Sequence, residues 1–515
     1  MNKEGPDFIS VLNDVLGPVM RGPSSSHTAG SYRVALIAKS LLNEVPVEAF
    51  ITFAENRSYA QVYKEQGVDS AFAAGLMGWE ITDPRFFKSV EYAKNTGLNI
   101  VFNKGELKDK HPNAVHIKLI TEKGQKLEID AKSTGGGVVK LTRLNEWLLD
   151  ITGKSFVLIV ECMEQEKVNL LELFNSDSDI EIEEKTKQNK FLICLKKSTK
   201  FDEKIISRLR HNSKVKNIWT SSPVFFTRKG REIFLSSEEI LAQAKKSGKS
   251  LGQLAIEYES DLLGLPSKII LEEMGKRFQI MKHSVQEGFA NEKVNLRILK
   301  PCADQIMKSE AKGQLISGGI HSRAAARAMA VMHTANSGGV VCAAPTGGSA
   351  GVLPGVVVTL AKDFNIKQIE KALFAAGAVG LIIARRATFA AEEAGCQAEI
   401  GAAGAMAAAS VVESAGGSAQ QAMNAAAVSL QNTMGSVCDL VQGRCEIPCH
   451  TRNAAAASNA FLCADLIQGG YENLISLDET VDALYSVGKM MPSELKCTGK
   501  GGIALAPSAV SLSKT

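Results

Sequence analysis

Three kinds of pattern succeed one another along the chain and predict a multidomain protein. An α+β N-terminal domain is expected over residues 1–150, a small βαββαβ unit over 155–225, and an all-α domain over 232–515. The first rests on short β-branched runs such as Phe50-Ile51-Thr52-Phe53 among apolar residues at helical spacing. The second rests on a run of strand and helix signals in the order β-α-β-β-α-β. The third rests on Ala, Leu and Met spacing that stays helical from about Glu232 onward, as in a packed bundle. A chain of 515 residues is long enough for two or three such cores.

Taken in order, Phe8 to Leu16 is apolar at helical spacing, and the run Gly17 to Pro23 breaks it. Ser24-Ser25-Ser26-His27-Thr28-Ala29-Gly30 then leads into a helix carrying Val34, Ile37, Ala38, Leu41 and Leu42. Hydroxyls and free backbone N–H groups ahead of a helix form an anion site, which suits a substrate carboxylate. Capping alone needs one such residue. After the strand at Phe50, Lys110-His111-Pro112-Asn113 precedes a strand from Val115 to Ile120, and Gly135-Gly136-Gly137 makes a turn. Residues 155–220 read as an independent, ferredoxin-like unit. Its strands lie at Phe156–Val160, around Ile180 and Phe191, and at Val215–Trp219; its helices are Lys167–Phe174 and Ile205–Leu209.

Lys229-Gly230-Arg231 links this unit to the helical part. There a helix from Ser322 to Met332 leads to Gly338-Gly339 and the loop Ala344-Pro345-Thr346-Gly347-Gly348-Ser349-Ala350-Gly351. No G-K-[ST] closes the loop, so it is not a Walker motif. Ala335 to Ala361 carries no charge, but its glycines and prolines point to a buried helix behind a functional loop rather than a membrane span.

A net charge of +4 without a long basic run, and 6% aromatic residues, exclude a nucleic-acid tract or stacking platform. The first residues lack the basic-then-apolar design of a signal peptide. Ten cysteines without a regular framework indicate a reducing compartment, so the expected location is the cytoplasm.

Four of those ten cysteines fall between Gly395 and Asn453, each beside polar, turn-forming or charged neighbours. No C-x2-C pair occurs, which excludes zinc ribbons and fingers, and no closely spaced ferredoxin run is present. Several thiols brought together from separate turns suit a soft metal or an iron–sulfur cluster. Packing as a small hydrophobe suits Cys194, in a strand, and Cys463, in an Ala/Leu helix. Gly395-Cys396-Gln397-Ala398-Glu399, Cys438-Asp439 and Pro448-Cys449-His450-Thr451-Arg452-Asn453 resemble the cluster motifs of the iron–sulfur-dependent L-serine dehydratases. The same family is echoed in the Ala344–Gly351 loop, the Ser24–Thr28 run, His111-Pro112-Asn113, the triple glycine, and Thr498-Gly499-Lys500-Gly501-Gly502-Ile503-Ala504. Two stretches depart from it. Gln66 and Val68 stand where the family pattern G-H-x-T-D has His and Thr, and its T-G-G-D stretch has no counterpart around Leu299–Cys302.

The resemblance implies a beta domain, an ACT-type regulatory unit and a catalytic alpha domain in one chain. It implies a [4Fe-4S] cluster held by Cys396, Cys438 and Cys449, with a fourth iron open as Lewis acid, and no pyridoxal phosphate. The reaction is then α,β-elimination of water from L-serine to pyruvate and ammonia. His27 and His111 are the implied acid/base residues; Ser24, Ser25, Ser26, Thr28, Thr346, Gly347, Arg452 and Asn453 are the implied substrate contacts. The middle unit's first turn, Glu164–Lys167, lacks the glycine at which such units bind an effector, so a structural or dimerising role stands open beside effector binding. The expected partner is a small amino acid, with no nucleic acid or membrane, and the expected assembly is a homodimer. Two alternatives stay open: a cluster-dependent lyase for another hydroxy or thio amino acid such as L-cysteine, and a non-catalytic amino-acid or metal sensor.

Overall fold

The computed structural model describes residues 8–174, 177 and 179–512. The N-terminal half is built on a six-stranded sheet. Its strands lie in the order Asn99–Gly105, Glu48–Ala54, Ala114–Ile120, Lys126–Gly135, Val138–Leu144 and Trp147–Ile151. The first two run parallel and the other neighbours antiparallel. Alternation along Lys126–Gly135 buries Leu127, Ile129, Ala131 and Ser133 and turns the residues between them outward. The helix Gly30–Leu42 supplies Ile37 and Leu41 to the core that this face builds.

The middle unit has the expected order of elements. Strands Phe156–Met163, Glu181–Lys187, Lys190–Lys197 and Val215–Ser221 form an antiparallel sheet in the order fourth, first, third, second. Helices Lys167–Glu172 and Glu203–Arg210 make the crossovers. The unit is not independent, however. Val157, Ile159, Leu192, Cys194 and Trp219 join the same apolar cluster as Ile37 and Leu41, whereas Leu158, Val160, Phe191, Ile193 and Leu195 pack against Ile206 and Leu209. The reason is legible in the strands themselves. Phe156–Val160 and Phe191–Leu195 are continuous apolar runs, which a sheet needs only when both of its faces are covered.

Among the described residues, the C-terminal half has helices and one short strand, Val340–Cys342. The Ala- and Gly-rich helix Ile400–Ser414 is buried along its whole length, as an all-round apolar helix should be. Helices Ile366–Arg386, Ala419–Thr433 and Cys449–Gln468 surround it. Among the described residues no helix is long and apolar enough to cross a membrane.

The opening segment corrects the expected domain boundary. Phe8, Ile9, Val11, Leu12, Val15 and Leu16 lie in the core of the helical half, with Tyr258, Met274 and Phe374. Val11–Val15 forms a single π-helical turn rather than a regular helix. Buried Glu259 holds it, accepting from Ser10 Oγ at 2.5 Å, Val11 N at 2.8 Å and Leu12 N at 3.0 Å. A side chain on Gly377 would run into Val11, and one on Gly380 into Val15, so these glycines make the groove in which the segment lies. Val19–Arg21 keeps the chain on the helical half, pairing antiparallel with Val340–Cys342.

Candidate active site

Each motif cysteine sits at the end of a local element. Cys396 opens a one-turn 3-10 helix ahead of the central helix, and Cys449 is the first residue of Cys449–Gln468. Cys438 lies in an extended segment that accepts from Cys497 N at 2.9 Å and donates to Leu495 O at 2.8 Å. The sulfurs of Cys396 and Cys438 and a carboxylate oxygen of Glu399 lie within 4.8 Å of one another. Cys396 neighbours Cys438, Cys438 neighbours Cys497, and Cys449 neighbours Cys445. Cys438, Cys445, Cys449 and Cys497 line one cavity and Cys396 adjoins Cys438, so five thiols gather there, two more than the motifs supply. Cys194 is packed in the sheet core and Cys463 among helices, where its sulfur accepts from Asn432.

The rest of the motifs buttress these cysteines. Fully buried Gln397 accepts from Gly435 N at 2.8 Å and donates to Ala394 O and Leu484 O, which fixes the turn that aims Cys396. Arg452 donates to Val437 O at 2.6 Å and to Cys396 Sγ at 3.6 Å and pairs with Asp439 at 3.0 Å. Asn453 donates to Gly348 O and Cys449 O and accepts from Gly351 N. Both residues are thus occupied in holding the cysteines and the glycine-rich loop. Cys396 is the thiol held below its usual range, by the hydrogen bond with Cys438 and then by the Arg452 charge, against its burial. Cys438 and Cys449 are pushed up by their neighbouring thiols and by burial.

A cavity of about 40 Å³ lies against Cys438, Cys445, Cys449 and Cys497, and both halves of the chain line it. Ser24, Ser26, His27, Ser58 and Gln66 come from the N-terminal half; Glu392, Glu399, Cys438, Cys445, Cys449 and Cys497 come from the other. Gly347 makes the approach close: a side chain there would stand 2.8 Å from Pro23 O and 2.9 Å from Ser25 N. Its N–H donates to Ser25 Oγ at 3.2 Å. Thr28 Oγ1 donates to Gln66 O at 2.7 Å, and Thr346 shares a hydrogen bond with Ser349 at 2.9 Å. Of the expected substrate contacts, Ser24 and Ser26 reach the cavity wall; Ser25 and Gly347 join the two halves behind it, and Thr28 and Thr346 each brace their own half.

His27 is buried and fully engaged. Ser26 Oγ donates to Glu392 Oε1 at 2.9 Å and stands 3.0 Å from His27 Nδ1. A hydroxyl has one proton, so Ser26 accepts from Nδ1–H, and His27 Nε2 is left to accept from Ser58 Oγ at 2.9 Å. Burial holds the imidazole below its usual range, opposed by the Glu392 charge. His111 stands outside the cavity wall. Its Nδ1 accepts from Asn113 N at 3.1 Å, and burial and then Lys132 lower its pKa.

Sequence reasoning named Cys497 as the nearest cysteine beyond the motifs to cover an open iron, but did not single out Ser58, Glu392 or Glu399 as site residues. Only Glu399 carried a local signal, its place in the Cys396 motif. Residues that could hold a metal group are the motif cysteines, with Cys445, Cys497 and Glu399 beside them. That soft, thiol-rich donor set fits an iron–sulfur group.

Comparison with known proteins bears on both halves. The family description "Serine dehydratase alpha chain" matches residues 179–504. The probable L-serine dehydratase alpha chain of Bacillus subtilis is 34% identical over 284 residues, covering 55% of this chain and 95% of that protein. The L-serine dehydratase alpha chain of Peptoniphilus asaccharolyticus is 33% identical over 272 residues, covering 52% and 93%. The probable L-serine dehydratase beta chain of Bacillus subtilis is 37% identical over 147 residues, covering 28% and 66%.

Proposed function

The chain belongs to the serine dehydratase alpha-chain family, and on that premise we propose that it is an L-serine ammonia-lyase with a [4Fe-4S] cluster. What supports the reading is that Cys438 and Cys449, with Cys396 beside Cys438, and the Ser24–His27 turn meet at one cavity from opposite halves of the chain. Cys396, Cys438 and Cys449 would hold the cluster. When bound, it would supply a Lewis acid for the departing β-hydroxyl.

The chain's own residues do the rest. Ser24, whose hydroxyl proton Glu392 does not take, is set to face the substrate carboxylate. Ser58 Oγ takes the α-proton as it passes its own to His27 Nε2, and Glu392 balances the resulting imidazolium through Ser26. Loss of the α-proton and the β-hydroxyl gives 2-aminoacrylate, which tautomerises and is hydrolysed by water to pyruvate and ammonium. We assign the middle unit as ACT-type in ancestry with a structural role, since both faces of its sheet are covered. We keep the division into three units and assign residues 8–16 to the helical one.

The test is anaerobic purification, followed by iron and sulfide analysis and assays of pyruvate release from L-serine, with L-threonine and L-cysteine as competitors. Pyruvate formation that tracks iron content is expected. Full activity in iron-free protein, or activity that needs added pyridoxal phosphate, would overturn the proposal.

A further inference from the structure

Gln66 is buried, 3% exposed, and lines both the inner cavity and a larger polar pocket of about 310 Å³ beside it. The pocket's wall includes Lys64, Arg444 and Cys445, and Cys445 is shared with the cavity as well. Gln66 therefore stands at the partition between an open vestibule and the site. Its amide donates Nε2–H to Gly443 O at 2.8 Å. A carbonyl only accepts, so that bond fixes which end of the amide is which, and Oε1 is the end left over. Oε1 is buried without any hydrogen-bond partner. An acceptor in that condition costs about 1–3 kcal/mol unless something arrives to donate to it.

An amide does not titrate near neutral pH, so Gln66 moves no proton; it can only offer an acceptor. Resting on the lyase reading above, we propose that Gln66 Oε1 accepts a hydrogen bond from the α-ammonium of the substrate, making Gln66 a specificity-determining residue for amino acids. The chemistry of the substrate leaves little choice. A carboxylate has no proton to give, and the β-hydroxyl is the leaving group. The ammonium carries three N–H donors, and its charge strengthens the bond it makes to a buried carbonyl.

L-Alanine and propanoate separate this inference from the lyase reading. They lack a leaving group, so neither reacts, and they differ in the ammonium alone. Their dissociation constants are measured by ligand-observed NMR for the holoenzyme and for Gln66→Met, whose unbranched chain keeps the length and removes the oxygen. L-Alanine is expected to bind about tenfold more weakly to the variant, with propanoate unchanged. Unchanged L-alanine binding would overturn the proposal. So would an equal loss for both ligands, because Gln66 would then support the cavity wall without reading the ammonium. Wild-type turnover of L-serine is recorded alongside: its absence defeats the lyase reading and leaves the L-alanine comparison standing.

Discussion

The chemistry of individual side chains turns on His27 and on which of its nitrogens is free. Because Ser26 gives its proton to Glu392, His27 presents Nε2 to Ser58, and burial keeps the ring neutral. Ser58→Ala should lower kcat about 100-fold with little change in KM, since it removes a proton carrier and leaves the carboxylate contacts in place. The acid limb of kcat should lie below pH 6.5, the ordinary histidine value, because the depressed pKa delays protonation as pH falls. A limb above that value would count against His27 as the base. The thiols separate in the same way. Cys438→Ser should abolish iron binding, measured as iron per chain after anaerobic reconstitution, whereas Cys463→Ser should retain it because that sulfur packs among helices.

Two elements hold the site together from a distance. The segment around Gly502 closes over Asp439, whose Oδ2 accepts from Ile503 N at 2.9 Å, and Asp439 in turn pairs with Arg452 behind Cys396. Gly502 has a φ of 60° and no room for a side chain against Asp439. Gly502→Ala should therefore destabilise the fold by about 1–3 kcal/mol and speed iron loss, read from the thermal midpoint and the decay of visible absorption. At the other end of the chain, the π-turn at Val11–Val15 depends on Glu259. Burial raises this carboxyl to about 6 from the usual 4.5, against the hydrogen bonds from Ser10, Leu12 and Val11. The folded state holds the proton more tightly than the unfolded chain does. Its contribution is complete below pH 4.5 and is lost as pH rises through about 6. Relative to Glu259→Gln, which does not titrate, the wild type should lose about 2 kcal/mol across that window in denaturant titrations.

The whole molecule is less modular than its three patterns suggest. The middle sheet shares its core with the N-terminal sheet, and the first described residues fill a groove in the helical half. Lys154 ties the arrangement together, with Nζ 2.8 Å from Asp14 and 3.1 Å from Phe8 O. Deleting the chain up to Leu16 removes Val11, Leu12 and Val15 from a packed core, where each large-to-small change alone is worth about 1–5 kcal/mol. The helical half should then melt at a markedly lower temperature, followed by far-UV circular dichroism. An unchanged midpoint would show that the segment merely rests on that core.

Resemblance to a known family pointed to Cys396, Cys438 and Cys449; sequence alone determined the order of elements, the βαββαβ unit and the buried core helix. Each of these depends on residue type and spacing over a few turns, where periodicity and turn chemistry act directly. Tertiary structure decided which of those pieces meet. Ser26 bonds Glu392 across 366 residues and Ser25 bonds Gly347 across 322, and no local pattern announces either pairing. The same is true of Cys497, brought to Cys438 by backbone hydrogen bonds, and of Ser58, brought to His27 by the helices that follow the Glu48–Ala54 strand. A lone serine or glutamate looks the same in sequence whether it faces water or a cavity. Its role is set by what the packed core places opposite it.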